Sequence, residues 1–402
     1  MGGKIALEGR RRFIKIGTLG AAGLTFPFSK SLAMIGEKEA LNIGVIGTGD
    51  RGMGMIHLMN EIPFLKVIGC SDIIPFRLEK AIELSGAKGY EDYRALLDNK
   101  KIDAVIIATP FGMHGTMAVD ALQAGKHVYC EKTMTRGMED IQTVLDTHKN
   151  SGLVFQTGHQ YNSSELYQKI HNIIESGYLG GITAFECQWN RNGDWRRKVP
   201  DPKWERMINW RMYREYSGGL VAELCAHQID FIGRVIGENP EKISGFGGID
   251  HWKDGRETFD NIHMLFKYPS GVDASFTSTT TNGFEGYQIK VLGEKGTIVM
   301  GANEAKIYLE RNQLKEYGIV DGVSGATKMA WEQGIGADIT ASSEDITAQA
   351  LVQFYHSVID GKPVYADIKS GALTSQCVQM SLDALDNEKV VSWEDYPKLD
   401  FF

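Results

Sequence analysis

The sequence is poor in cysteine, and its cysteines lack the spacing that metal sites and redox-active disulfides require. The chain has five, at positions 70, 130, 187, 225 and 377, and no two of them form a C-x-x-C pair. Structural zinc sites and disulfide frameworks depend on closely spaced or paired cysteines. We therefore expect no metal site, no disulfide framework and five inert thiols.

An excess of basic charge is also missing. The 43 Lys and Arg residues face 51 Asp and Glu residues, which gives a net charge of −8. Nucleic-acid-binding surfaces are basic, so we expect no nucleic-acid partner. The chain also lacks a run of about 20 apolar residues that could cross a bilayer, so we expect no membrane span in the mature chain.

The N-terminus has the features of an export signal. Residues 10–15 read Arg-Arg-Arg-Phe-Ile-Lys, an apolar stretch covers residues 16–28, and Ser31-Leu32-Ala33 follows as a possible cleavage site. This order is typical of a signal peptide, and the arginines resemble a twin-arginine signal. We expect residues 1–33 to be removed and the folded, cofactor-loaded protein to reach the periplasm. The alternatives are a disordered basic tail and an uncleaved anchor.

A glycine-rich turn follows the first apolar strand after this segment. Leu41–Ile46 is followed by Gly47-Thr48-Gly49-Asp50-Arg51-Gly52, and an apolar helix comes next. In a dinucleotide-binding G-x-G-x-x-G motif the first glycine permits a tight turn and the second lets the backbone approach the pyrophosphate. The third lets helix and strand pack closely, and the helix N-terminus offers N–H groups to the phosphates.

Asp72 ends the second predicted strand, about twenty residues after the glycine turn. A carboxylate there accepts hydrogen bonds from the adenosine ribose and repels the 2′-phosphate of NADP. No arginine follows it immediately. The sequence therefore predicts NAD rather than NADP as the cofactor.

Strands and helices alternate from residue 38 to residue 160, which predicts a parallel sheet in a Rossmann domain. Ligands of such sheets bind at the carboxyl ends of the strands. The loops expected to meet there are 47–52, 109–114, 131–133 and 158–162.

The composition changes after about residue 180. Tryptophans occur at 189, 195, 204 and 210, and polar and apolar residues alternate in several stretches. Such alternation is typical of an open sheet with one covered face. We predict an α+β domain with an open, mostly antiparallel sheet over residues 161–340, and helices over 341–402. The predicted fold class is thus an α/β Rossmann domain plus this α+β domain.

Four motifs together resemble the Gfo/Idh/MocA oxidoreductases, over about residues 41–395. The family patterns are A-T-P-x-x-x-H, A-G-K-H-V, E-K-P and G-G-x-x-x-D-x-x-x-H. The matching segments are Ala108-Thr109-Pro110 with His114, Ala124–Val128, Glu131-Lys132, and Gly218–His227. Two positions depart from the family: Thr133 replaces the proline of E-K-P, and Glu223 replaces the aspartate four residues before His227.

The resemblance implies an NAD-dependent enzyme that acts on a small carbohydrate. It also implies a homo-dimer or tetramer formed through the open sheet, and C-terminal helices that pack back on the Rossmann domain. The cofactor-binding residues expected from the motifs are Gly47, Gly49, Asp50, Arg51, Gly52, Asp72, Thr109, Pro110, His114, Glu131, Lys132 and Gln160.

Oxidation of an alcohol needs a base, a donor that stabilises the alkoxide, and a hydride acceptor. His227 has a suitable intrinsic pKa for the base, and Lys132 is suited to donate to the oxygen. Their roles could be exchanged. Glu223 and His227 are four residues apart in a predicted helix, so we expect them to share a face, with Glu223 orienting His227 or binding a hydroxyl.

The candidate substrate residues are Tyr161, Arg211 and Tyr216, with Asn162 beside them. The favoured function is a dehydrogenase acting on a sugar or glycoside hydroxyl, expected at C3 of a pyranoside. One alternative is a glycosidase in which NAD oxidises C3 transiently, allows elimination and returns the hydride. Another is a non-catalytic NAD-binding protein.

Overall fold

The computed structural model describes residues 39–310 and 336–401, so the predicted export signal lies outside the described residues. The first half of the described chain holds a six-stranded sheet. Its strands are β1 (Leu41–Ile46), β2 (Leu65–Ser71), β3 (Lys88–Tyr90), β4 (Ala104–Ile107), β5 (His127–Cys130) and β6 (Phe155–Thr157). The order is β3-β2-β1-β4-β5-β6, and every pair is parallel. The order reverses between β1 and β4, which opens a crevice at their carboxyl ends.

Helices cover both faces of this sheet, and the central strands are accordingly apolar throughout: all four residues of β4 are buried. The helices are α1 (Asp50–Asn60), α2 (Pro75–Ser85), α3 (Tyr93–Leu97), α4 (His114–Gln123) and α5 (Met138–Lys149).

The second domain is built on a nine-stranded sheet. Its helices are α6 (Glu165–Glu175), α7 (Glu205–Ile208) and α8 (Ala226–Ile236). Its first strands are β7 (Ile182–Asn190), β8 (Lys242–Gly248), β9 (Asn261–Lys267), β10 (Asp273–Thr279) and β11 (Tyr287–Gly293). They are followed by β12 (Gly296–Met300), β13 (Ala305–Leu309), β14 (Ala337–Asp338) and β15 (Val391–Ser392).

The strand order of this sheet is β14-β13-β12-β11-β7-β10-β9-β8-β15. The pair β7 and β10 is parallel, and the other pairs are antiparallel. The structure therefore confirms the predicted fold class, a Rossmann domain plus an α+β domain with an open, mostly antiparallel sheet.

One face of the large sheet is covered and the other is open. Alternate residues of β9 and β10 are buried, and they share a core with Ile229 and Ile232 of α8. On the open face, Phe246 of β8 is 70% exposed and Leu265 of β9 is 49% exposed. A large apolar side chain left in water on a sheet face is a feature that a partner surface usually covers.

The C-terminal helices are α9 (Ile346–Asp360) and α10 (Ile368–Asn387). Phe354 of α9 lies against Tyr129 of β5, with ring centroids 5.8 Å apart. The start of α10 joins the core of the Rossmann domain through Ala372, and its later turns join the core of the second domain through Met380. The two helices thus connect the domains and fix the walls of the crevice.

All five cysteines are buried as free thiols. In the part of the chain that the structure describes, no three His, Cys, Asp or Glu side chains come together as a metal site. Within the same residues, no helix combines the length and the apolar character of a bilayer span.

Candidate functional site

The glycine turn between β1 and α1 has the shape of a phosphate cradle. Gly47 has φ +87°, which favours glycine, and a Cβ on Gly52 would lie 2.0 Å from the Gly47 carbonyl oxygen. A Cβ on Gly49 would meet nothing nearer than the Arg77 guanidinium, at 3.5 Å, so the backbone there is open to a ligand. Helix α1 begins at this turn with no side-chain cap. Its free N–H groups therefore suit the pyrophosphate of NAD.

Asp72 is tied to the glycine turn. Its Oδ2 accepts hydrogen bonds from the Thr48 backbone N–H at 2.8 Å and from the Thr48 hydroxyl at 3.1 Å. Its Oδ1 accepts from the Ile74 backbone N–H at 2.8 Å. Since each carboxylate oxygen can accept more than one hydrogen bond, the half-buried carboxylate keeps capacity for ribose hydroxyls while it holds the turn in place.

A donor and an acceptor at the crevice lack partners. Arg51, in the first turn of α1, donates from Nε to Glu131 at 2.7 Å and from Nη1 to Thr347 at 3.1 Å. Its Nη2 and the Oε1 of Gln160 are buried without a hydrogen-bond partner among the described residues. Because an unpaired buried polar atom is costly, Gln160 Oε1 fits a bound cofactor that supplies its partner, whereas Arg51 also interacts with the buried Tyr129 hydroxyl.

His114 connects the loops that follow β4 and β5. Its Nδ1 lies 2.8 Å from the Thr133 carbonyl oxygen and its Nε2 lies 2.9 Å from the Thr109 carbonyl oxygen. Burial lowers the pKa of His114. With both nitrogens facing main-chain oxygens, the ring supports the loops around Pro110 and leaves no nitrogen for a cofactor. The peptide bond between Lys132 and Thr133, where the family has proline, is cis.

Lys132 reaches from the end of β5 into the second domain. Its Nζ donates to the Glu223 carbonyl oxygen at 2.7 Å and to the Ala222 carbonyl oxygen at 3.3 Å. Burial lowers the pKa of the Lys132 ammonium, against the opposing effect of the Glu223 and Glu131 carboxylates. An ammonium has three N–H donors, so one remains for a substrate oxygen.

The carboxylate of Glu223 binds Arg211 and makes no hydrogen bond to His227. Val221–Cys225 forms a π-helical turn that precedes α8, and its hydrogen bonds span five residues instead of four. The Glu223 carboxylate accepts from Arg211 Nε at 2.9 Å and lies 3.5 Å from the Ser217 hydroxyl. It therefore positions Arg211 and has no hydrogen bond to His227.

His227, in the first turn of α8, is buried among aromatic rings. The ring centroids of Tyr161, His159 and Trp189 lie 4.9, 5.5 and 5.7 Å from its own. Its Nδ1 has no hydrogen-bond partner among the described residues. Burial, together with the positive charge of Lys132, lowers the pKa of His227 well below its ordinary value. The imidazole is therefore neutral at pH 7 and able to accept a proton.

The candidate substrate residues differ in their contacts and in their distance from His227. Tyr161 stacks on Tyr287 with centroids 5.3 Å apart, and burial raises its pKa to about 12. Arg211 joins the site through Glu223. The amide of Asn162 donates to the buried Asp230 at 2.5 Å, so it has a structural partner.

Tyr216 lies apart from this group. Its carbonyl oxygen accepts from the Gly112 backbone N–H at 3.0 Å, and its hydroxyl interacts with Glu215. Among the described residues, no ring contact joins it to the aromatic cluster around His227.

Three residues of the site were not predicted from the sequence. His159 is buried with neither ring nitrogen paired within the described chain, and its place after β6, next to Gln160, was the available signal. Tyr287 begins β11, far along the chain, and no local pattern links it to Tyr161. Arg77 lies over Gly49 from the first turn of α2, and its position five residues after Asp72 was the available signal.

Comparisons with known proteins match both domains to family models. The family model described as "Oxidoreductase family, NAD-binding Rossmann fold" matches residues 41–159, and "GFO/IDH/MocA C-terminal domain" matches residues 167–299. Levoglucosan dehydrogenase of Pseudarthrobacter phenanthrenivorans is 24% identical over 90% of this chain and 99% of its own length. The 2,7-anhydro-N-acetylneuraminate hydratase of Escherichia coli K12 is 28% identical over 66% of this chain and 68% of its own length.

A solved structure shares the fold. It is that of levoglucosan dehydrogenase in complex with NADH and L-sorbose, and it superposes with a TM-score of 0.72 at 19% identity. The superposition covers 88% of this chain and 99% of that chain.

Proposed function

Since this chain belongs to the Gfo/Idh/MocA family of NAD-binding oxidoreductases, we propose that it oxidises a secondary hydroxyl of a sugar or glycoside, at C3 of a pyranoside. The observation that carries the proposal is that Lys132, from the Rossmann domain, reaches the turn that leads into His227 of the second domain. Its Nζ donates to the carbonyl oxygens of Ala222 and Glu223, five and four residues before His227, and its charge helps to lower the pKa of the imidazole.

His227 and Lys132 have different roles at the substrate hydroxyl group. Neutral His227 accepts the hydroxyl proton, since its buried Nδ1 has no hydrogen-bond partner among the described residues. Lys132 donates its third N–H to the same oxygen as negative charge develops there. The carbonyl oxygens of Ala222 and Glu223 hold its Nζ in position throughout.

The cofactor is held by the residues already described. The glycine turn receives the pyrophosphate, Asp72 receives the ribose, and Gln160 offers the unpaired acceptor. When bound, NAD supplies the ring that accepts a hydride from the hydroxyl-bearing carbon.

The aromatic rings around His227 suit a carbohydrate. Trp189 and Tyr287 meet edge to face with centroids 4.6 Å apart, and Tyr161 stacks on Tyr287. Such a wall is apolar enough to receive the C–H face of a sugar ring and exclude water, while the polar groups at its edge orient the hydroxyls.

One assay separates the proposed dehydrogenase from a glycosidase that recycles NAD. The full chain is purified with its bound NAD and offered nitrophenyl glycosides and free sugars. A ketosugar formed in equal amount to reduced nicotinamide supports the dehydrogenase, and NMR of that ketosugar tests the position C3. Release of nitrophenol with no net reduction would instead establish the glycosidase. Neither reaction, with bound NAD present, would leave a non-catalytic NAD-binding protein.

Two further proposals concern location and assembly. We propose export to the periplasm on the basis of residues 10–33. Cell fractionation of the wild type and of a variant with Arg10→Lys and Arg11→Lys tests it, since the variant should stay in the cytosol. We also propose a homo-dimer or tetramer through the open sheet face that carries Phe246 and Leu265.

A further inference from the structure

Arg191 has no acidic partner, unlike the other arginines near the site. Arg51, Arg197 and Arg211 each pair with a carboxylate, at 2.7, 3.1 and 2.9 Å. Among the described residues, no Asp or Glu lies within ion-pair distance of the Arg191 guanidinium. The side chain is therefore a cation with no carboxylate partner in the described part of the chain.

The position of Arg191 places it beside the aromatic wall. It follows β7 directly, and its backbone N–H donates to the Thr279 carbonyl oxygen at 2.8 Å, which continues the extended conformation. Residues two apart in a strand point to the same side, so Arg191 projects on the side of Trp189, whose ring lies 5.7 Å from His227. The guanidinium lies 5.9 Å from the centre of the Trp195 ring.

The Arg191 side chain is exposed to solvent. Partial burial of its guanidinium lowers the pKa of Arg191, and the charges of Arg211 and Arg197 lower it further. In turn, the charge of Arg191 opposes the rise in the pKa of Tyr161. Arg191 therefore lies in a positive region next to a ring that contacts His227.

Positive charge exceeds negative charge among the described side chains of this region. Arg51, Arg197 and Arg211 are compensated by Glu131, Asp50 and Glu223. Lys132 binds main-chain carbonyl oxygens, and Arg191 binds no acceptor side chain that the structure describes. The oxidation step needs Lys132, so Arg191 is the cation left to bind a group of the substrate.

We propose that the substrate carries an anionic substituent, a carboxylate or a sulfate, and that Arg191 binds it while His227 and Lys132 act on the hydroxyl. The proposal rests on the proposed function, because it identifies the class of sugar that the same site oxidises. A guanidinium is suited to this task, since its planar fork binds a carboxylate or sulfate through two parallel hydrogen bonds.

The test measures binding to the NAD-loaded full chain by tryptophan fluorescence and calorimetry. The probes are glucose, galactose and mannose, the corresponding uronates, and the corresponding 6-sulfates. We expect at least one anionic sugar to bind about tenfold or more tightly than its neutral parent. The preference should decrease as ionic strength rises. The uronate and sulfate arms identify which anion the site takes.

The variant Arg191→Gln should remove this preference and leave the affinity for the neutral sugars unchanged. Lys198→Gln is the matched control, because it removes the same charge from an exposed position of the same loop. Retention of the preference in Arg191→Gln would overturn the proposal, as would equal binding of anionic and neutral sugars by the wild type. A loss of NAD affinity in Arg191→Gln with sugar preference intact would assign Arg191 to the cofactor.

Failure of this inference is distinguishable from failure of the proposed function. If sugars reduce the bound NAD with no preference for anionic members, the dehydrogenase stands and the role of Arg191 is wrong. If no sugar reduces NAD but anionic sugars bind through Arg191, the binding site stands and the oxidation is wrong.

Discussion

The Nζ atom of Lys132 donates a 2.7 Å hydrogen bond to the main-chain carbonyl oxygen of Glu223. This bond joins the end of β5 in the Rossmann domain to the π-helical turn of the second domain. The next helix, α8, carries His227 in its first turn. The hydrogen bond from Lys132 to the main chain thus fixes its position relative to the helix that carries His227. The Glu223 carboxylate is left to position Arg211.

Gly52 can be tested against a glycine in the same helix. A Cβ at position 52 would lie 2.0 Å from the Gly47 carbonyl oxygen, whereas a Cβ at Gly54 would meet nothing within 4 Å. We expect Gly52→Ala to displace the turn and lose bound NAD. Gly54→Ala should keep NAD and gain up to about 1 kcal/mol in the free energy of unfolding. Absorbance of the purified variants measures the NAD content, and equal NAD content in both would contradict this account of the turn.

The pH dependence of activity tests the protonation state of His227. Burial lowers the pKa of this imidazole well below the ordinary histidine value of 6.5, so the base form persists into mild acid. We expect kcat/KM to hold as the pH falls through 6.5 and to decline only at lower pH. The variant His227→Asn should have much lower kcat/KM than the wild type at every pH, but enough residual activity for a pH profile. An acidic limb centred at or above pH 6.5 that disappears in this variant would show that His227 titrates as an ordinary histidine.

The stability of the fold should also fall in acid, because several histidines are buried as neutral rings. Burial lowers the pKa of His159, so below pH 6.5 the unfolded chain binds a proton that the folded chain does not. Each such group reduces the free energy of unfolding by about 1.4 kcal/mol per pH unit, from the unfolded pKa down to the folded one. Urea unfolding of the wild type and of His159→Gln between pH 7 and 5 measures the difference. Parallel curves would contradict the prediction.

The sequence was sufficient to predict the fold class and most elements of the first domain, but not the short strand β3 and helix α3. The strand before Gly47, the helix after Gly52 and the alternation beyond them are local patterns with a fixed period. For the nine-stranded sheet, the open and mostly antiparallel type was predicted, but the strand order was not. Its central parallel pair, β7 and β10, joins strands separated by more than 80 residues.

Site residues that belong to a sequence motif could be predicted, whereas residues that only tertiary packing brings to the site could not. Lys132 and His227 were identified from their motifs. The partner of Glu223 was not, because Arg211 lies twelve residues earlier in the chain and no local pattern links the two. Tyr287 and Arg191 reach the site from strand ends of a sheet whose order the sequence does not reveal.

The open sheet face offers a test of assembly. Phe246 and Leu265 are 70% and 49% exposed there, and burial of such side chains stabilises a dimer. We expect the wild type to sediment as a dimer or tetramer, and Phe246→Asp combined with Leu265→Asp to shift it toward the monomer. Phe284 is 73% exposed but lies in the loop before β11, so Phe284→Asp is the control. A monomeric wild type would contradict the proposed interface.

The most direct measurement is a single turnover of the NAD-loaded full chain with each sugar of the panel, followed by the absorbance of reduced nicotinamide. The account predicts one ketosugar per reduced cofactor for the wild type and for Lys198→Met. It predicts a rate about 10²- to 10³-fold lower for Lys132→Met, with NAD still bound. An equal rate in Lys132→Met, or no reduction by any sugar in the wild type, would contradict it.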